Sequence, residues 1–193
     1  MIRYRHHIVL RAEELSEALD RLAERLLPML GSEEVTAIPI LGGAVFFAAD
    51  LVRRLPAGLV MDFIRIQTYG DATSPQREAK PDWLPNPANV TGKHVLLLDD
   101  ILDTGRTMTA ARKFLLEQMG AAKVTVVVLI DKPARRAVPI TADDFAVQFE
   151  EDQFLVGFGL DYRGRFRNLP FLAALETDLD GLPKRLESSQ TVL

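Results

Sequence analysis

Two apolar runs bracket one amphipathic segment in the middle of this chain, and that order limits the fold more than any other feature. Val95 to Leu98 is apolar throughout, and so is Val124 to Ile130 apart from Thr125. Between them, Arg106 to Met119 carries Met108, Ala111 and Leu115 at helical spacing, and Gly120 stands where a helix would end. Strands that are apolar at nearly every position are covered on both faces. A helix between two of them therefore predicts a βαβ unit in a parallel sheet.

The flanking sequence extends the same alternation. Leu15, Leu19, Leu22 and Leu26 predict an amphipathic helix that Pro28 and Gly31 should stop. Val35 to Leu41 reads as a buried strand, punctuated by Gly42-Gly43. A second helix through Phe46, Phe47, Asp50, Leu51 and Arg54 follows, then a strand from Val60 to Ile66. Gln67 to Val90 reads as one long loop interrupted by Gly70, Pro75, Pro81, Pro85 and Pro87. Loops of that length in a compact domain are usually functional lids or disordered. Phe145 to Phe149 predicts a further short strand, and the last dozen residues are polar and expected to fray. The fold class is α/β.

Composition excludes several chemistries. The chain has no cysteine, so disulfides, thiol catalysis and thiolate metal sites are ruled out. His6, His7 and His94 have no metal-ligand spacing. A net charge of −4 argues against a nucleic-acid partner held by bulk electrostatics. Ile8 to Leu10 is too short for a signal-peptide core, and no apolar run spans a membrane. The expected location is cytoplasmic.

The chemistry concentrates in Asp99-Asp100-Ile101-Leu102-Asp103-Thr104-Gly105-Arg106-Thr107, just past the first strand of the βαβ unit. Ligands of open parallel sheets bind beyond the carboxyl ends of strands. Adjacent carboxylates there can accept hydrogen bonds from vicinal sugar hydroxyls. Gly105 permits close backbone approach, Thr104 and Thr107 offer hydroxyls, and the helix start favours an anion. Taken singly, each residue reads equally well as a solvated strand end or an ordinary N-cap. Three carboxylates, two threonines and a glycine at one strand end instead describe a ribose-5-phosphate site. The Walker pattern is absent. The Asp103-Thr104-Gly105 triplet, shared with the all-β aspartic proteases, here opens a helix.

The run from Val95 to Met108 resembles the phosphoribosyl-pyrophosphate signature of the type I phosphoribosyltransferases. Leu129-Ile130-Asp131-Lys132-Pro133 and Phe154 to Tyr162 resemble segments of the hypoxanthine-guanine branch, and the likeness extends from about Ile38 to Leu169. It implies a twisted, mostly parallel sheet flanked by helices, in a single domain over 1–193. The core would occupy about 12–150, with a small hood from about 1–11 and 151–180.

The resemblance also implies roles. Asp99 and Asp100 would hold the ribose hydroxyls and lie in or near a Mg²⁺ shell, although the family commonly has Glu-Asp there. Asp103 would be the general base at purine N7, and Thr104, Gly105, Arg106 and Thr107 would bind the 5-phosphate. Lys132 would donate to O6, Phe154 would stack on the base, and Leu155 would offer its carbonyl to the base edge. Asp161 would support Mg²⁺ and Arg167 would grip pyrophosphate. Leu41, Gly42 and Gly43 would form the pyrophosphate loop, with a peptide that is often cis in the family. Gly42 stands where many members carry lysine, so this loop would bind through backbone N–H groups alone. Thr68 and Tyr69 resemble the Ser-Tyr pair of a mobile lid.

The implied activity is purine salvage, with hypoxanthine or guanine as acceptor and a homodimer or homotetramer as the assembly. A xanthine-preferring enzyme and a non-catalytic RNA-binding regulator on the same fold are the alternatives. The acidic balance and the presence of Asp103 and Arg167 argue against the regulator.

Overall fold

The fold is known from a computed structural model that describes residues 4–31, 34–56, 58–69, 78–177 and 182–184. Strand β1 (His6–Leu10) leads into helix α1 (Ala12–Leu30). Arg11 N–H donates to Glu14 Oε2 at 2.7 Å, so a side chain of the first turn satisfies the backbone at the helix start. Leu15, Leu19, Leu22 and Leu26 are buried as their spacing requires. Each contributes about 1.5–3 kcal/mol by leaving water. Pro28 does not end α1; the helix runs on to Leu30 before Gly31. Pro28 and Glu24, four residues earlier, both lie on the exposed face. There the carbonyl that loses its N–H partner can turn to water.

A parallel sheet follows. Strand β2 (Val35–Leu41) is followed by helix α2 (Ala44–Val52), then β3 (Val60–Met61) and β4 (Ile64–Tyr69), both parallel to β2. Strand β5 (Glu78–Trp83) lies antiparallel on β4. In place of one long loop from Gln67 to Val90, the described residues of that segment form the end of β4, all of β5 and a 3₁₀ turn at Pro87–Asn89. Prolines and charges hid β5. It is an edge strand, where Pro81 forfeits no essential ladder bond and polar side chains face water.

Strand β6 (His94–Leu102), helix α3 (Arg106–Glu117) and strand β7 (Lys123–Asp131) form the expected βαβ unit, and β8 (Asp144–Gln148) closes the far edge. The order is β5-β4-β2-β6-β7-β8, with β5 alone antiparallel. Strand β6 does not stop at Leu98. Asp99 pairs with Val128, Ile101 with Ile130 and Leu102 with Asp131, so both acidic residues stand in the strand rather than in the turn.

The sheet separates two apolar layers. Leu96 and Leu98 face α1 and α2, while Val95 and Leu97 face α3. This is the two-residue period of a strand covered on both sides.

A second, three-stranded antiparallel sheet joins the chain's ends. Strand β10 (Leu172–Leu175) lies between β1 and β9 (Phe154–Val156). Its small core holds Val156, Ala173 and Leu175 under Tyr4, Tyr162 and Phe166.

Candidate active site

The carboxyl end of β6 opens onto two adjoining cavities, of about 360 and about 440 Å³. Asp100, Ile101, Asp103 and Asp161 line both.

The first cavity holds the acidic pair. Asp99 is buried, and Asp100 N–H donates to its Oδ1 at 3.0 Å. Burial, followed by the charge of Asp100, holds the Asp99 carboxyl well above the usual carboxylate range. Burial also raises Asp100, against the opposing effects of its hydrogen bond with Asp99 and the Arg167 charge. Two carboxylates confined this way favour hydroxyl donors or a cation that restores their ionised form.

The loop after β6 turns sharply into α3. Gly105 is the helix N-cap at φ +82°, and a Cβ there would lie 2.4 Å from Ile140 Cγ2. Only glycine meets both demands. Thr104 and Thr107 line the cavity, and the unpaired N–H groups at the start of α3 favour an anion. Arg106 is exposed and is not among the lining residues. The loop is stitched from behind by a segment that sequence reasoning did not single out. Arg136 Nη1 donates to the Leu102 carbonyl at 2.7 Å and the Asp103 carbonyl at 2.6 Å. Its Nη2 pairs with Asp131, and Ala137 N–H donates to the Thr104 carbonyl at 3.0 Å. The adjacent arginines four residues past Asp131 were the available signal.

Leu41, Gly42 and Gly43 line the opposite wall, and the Leu41–Gly42 peptide is cis. The wall is fixed by close backbone packing: a Cβ on Gly159 would lie 2.1 Å from the Gly43 carbonyl oxygen. Arg167 Nη1 donates to the Gly159 carbonyl at 2.5 Å, and Arg167 pairs with Asp161 at 2.8 Å. Asp161 Oδ2 accepts from Gly164 N–H at 2.6 Å. Phe158, Arg163 and Phe166 all have positive φ, so this segment concentrates the backbone strain found at functional sites.

The second cavity is bounded by Lys132, Arg135, Asp152, Gln153, Phe154 and Leu155. Lys132 is buried and its Nζ donates to the Gln153 carbonyl. Burial lowers its pKa, which the negative charges of Asp152 and Asp103 partly oppose. Phe154 is 38% exposed, with its ring edge-to-face with Tyr162 at 5.6 Å. An exposed aromatic face beside a buried ammonium suits a planar ligand carrying a carbonyl. Leu155 is buried in the ladder opposite Ala174. Arg135, which the sequence did not flag, bonds Asp103 at 2.7 Å and Asp152 at 2.6 Å.

Of the expected site residues whose side chains are described, Arg106 alone is placed away from both cavities. Thr68 and Tyr69 form the end of β4 by their backbone; their side chains, and the lid role expected of them, lie outside the described residues.

Among the described residues, no three metal-ligating side chains converge. Asp100 and Asp161 supply oxygen donors at the junction of the cavities. Mg²⁺ binds through one or two carboxylates, waters and substrate oxygens rather than an all-protein cage, so this donor set fits it.

Comparison with known proteins adds an independent observation. Residues 8–163 match the family model described as phosphoribosyl transferase domain. The hypoxanthine-guanine phosphoribosyltransferase of Streptococcus pneumoniae is 34% identical over 169 residues, covering 86% of this chain and 91% of that protein. The bifunctional protein TilS/HprT of Listeria innocua is 36% identical over 174 residues, which is 89% of this chain; the chain spans only 26% of that longer protein. A hypoxanthine phosphoribosyltransferase from Staphylococcus aureus superposes with a TM-score of 0.83 at 29% identity, over 90% of this chain and 92% of that one.

Proposed function

The chain belongs to the phosphoribosyl transferase family, and from that premise we propose that it is a purine-salvage enzyme acting on hypoxanthine or guanine. It moves the 5-phosphoribosyl group from phosphoribosyl pyrophosphate to the base, forming IMP or GMP and releasing pyrophosphate. One observation carries this reading: a carboxylate-lined cavity at the start of α3 shares Asp100, Ile101, Asp103 and Asp161 with a cavity lined by Lys132 and Phe154. A bond between sugar and base forms at such a junction.

The roles follow from the chemistry of each wall. Thr104, Thr107 and the N-terminus of α3 hold the 5-phosphate. Asp99 and Asp100 accept the ribose hydroxyls and stabilise positive charge developing on the sugar. Arg167 and the backbone N–H groups of Gly42 and Gly43 hold the departing pyrophosphate. Lys132 donates to the purine O6, Phe154 covers the ring, and the Leu155 carbonyl meets the base edge. Asp103 accepts the N7 proton, making the ring nitrogen a better nucleophile, help typically worth about 10²–10⁴-fold in rate. Mg²⁺, when bound near Asp100 and Asp161, neutralises charge on the pyrophosphate.

The three-stranded sheet, built from both ends of the chain and carrying Phe154 and Leu155, serves as the hood over the base. We place the enzyme in the cytoplasm as a homodimer or homotetramer; among the described residues, no helix is long and apolar enough to cross a membrane.

The test is pyrophosphate release with phosphoribosyl pyrophosphate, Mg²⁺ and each of hypoxanthine, guanine, xanthine, adenine and uracil. Turnover with hypoxanthine or guanine and little with adenine supports the reading. Turnover with xanthine alone keeps the chemistry and changes the substrate. Silence with all five overturns it and favours a regulator.

A further inference from the structure

Two consecutive arginines hold the residue assigned as general base, and they hold different parts of it. Arg136 is largely buried and fixes the backbone, donating to the carbonyls of Leu102 and Asp103. Arg135 takes the side chain, with its Nε donating to Asp103 Oδ1 at 2.7 Å. The other carboxylate oxygen, Oδ2, has no hydrogen-bond partner among the described residues. Arg135 Nη1 also donates to Asp152 Oδ1 at 2.6 Å, on the segment that leads into Phe154.

We propose that Arg135 is a positioning residue for the transfer reaction, holding one oxygen of Asp103 so that the other is aimed at the proton on purine N7. The proposal rests on the reading of Asp103 as general base. Three features carry it. Arg135, Asp103 and Asp152 line the base cavity together, and Arg135 is absent from the lining of the phosphate cavity. Both ion pairs are at least one-third exposed, where such pairs add little to stability, so they are poorly explained as a structural brace. The planar guanidinium presents several donors in fixed directions, so one side chain orients Asp103 while anchored on Asp152. A carboxylate held at one oxygen keeps its second lone-pair set in a defined direction, which proton transfer at hydrogen-bond distance requires.

The experiment compares Arg135→Gln, Arg135→Lys, Asp103→Asn and the Arg135→Gln/Asp103→Asn double variant. The chemical step is read in single turnover with hypoxanthine, and phosphoribosyl pyrophosphate affinity by calorimetry. Misplacing a reacting group by about 1 Å costs on the order of 10²-fold, and Arg135→Gln is expected to slow the step by about that factor without changing phosphoribosyl pyrophosphate affinity. Arg135→Lys should recover part of the rate, because an ammonium reaches Asp103 but cannot fork to both carboxylates. In the Asp103→Asn background, Arg135→Gln should add no further loss, since its effect passes through Asp103. A wild-type rate in Arg135→Gln overturns the proposal, as does an equal loss in both backgrounds. If Asp103→Asn itself keeps the wild-type rate, the general-base reading fails first, and the two failures are told apart.

Discussion

A Cβ on Gly43 would lie 1.6 Å from Oδ2 of Asp100. The Asp100 carboxylate of β6 therefore occupies the space that a side chain at position 43 would fill. Gly43→Ala is expected to push Asp100 out of place and lower turnover on the order of 10²-fold. The far end of Asp100 is the part that must yield, so the fold should survive with little change in thermal midpoint. Steady-state kinetics and a melting curve on the same preparation check this; wild-type turnover would show that Asp100 is not needed where it stands.

Gly105→Ala should act on both fold and ligand. At φ +82° an alanine is strained by about 1–2 kcal/mol, and its methyl would meet Ile140 and Arg136. Loss of more than about 1 kcal/mol in urea unfolding, with weaker phosphoribosyl pyrophosphate binding, is the expected pair of results. Unchanged binding would remove the loop from the phosphate site.

Asp99 links stability to pH. Burial raises its carboxyl in the folded chain, so the folded state binds that proton more tightly than the unfolded state. Its contribution is most favourable below the ordinary carboxylate range and falls as pH rises through the folded-state value. Asp99→Asn should thus melt a few degrees higher than the wild type at neutral pH, with the gap closing as the pH is lowered. The depressed carboxylates Asp82 and Asp152 titrate alike in both proteins and cancel in the difference. The variant should also turn over more slowly, trading activity for stability.

Lys132→Ala is expected to weaken hypoxanthine and guanine by roughly 1.5–3 kcal/mol, the scale of a charge-assisted hydrogen bond. Discrimination against adenine should shrink at the same time. Equilibrium binding of the bases in the presence of phosphoribosyl pyrophosphate measures both. Intact affinity and intact discrimination together would detach Lys132 from O6.

Asp103→Asn should reduce turnover by about 10²–10⁴-fold while leaving phosphoribosyl pyrophosphate affinity near its wild-type value. An unchanged chemical step would remove Asp103 from the mechanism.

Features that repeat locally were readable from the order of residues alone. The apolar runs of β6 and β7 and the Met108–Ala111–Leu115 face of α3 have their periods written into adjacent residues, so the βαβ unit was legible. The glycine and threonines at the start of α3 were legible too, because a phosphate cradle is a local backbone shape. Which distant segments meet emerged from the folded chain. Strand β5 was hidden because an edge strand may be polar and contain proline, and β1 and β10 because each is five residues or fewer and pairs across nearly the whole chain. The approach of Gly159 to the Gly43 carbonyl, and the reach of Arg135 to Asp103 across 32 positions, follow from packing between loops that carry no period of their own. Local pattern fixes elements because it depends on neighbours along the chain. The site depends on neighbours in space, and folding supplies those.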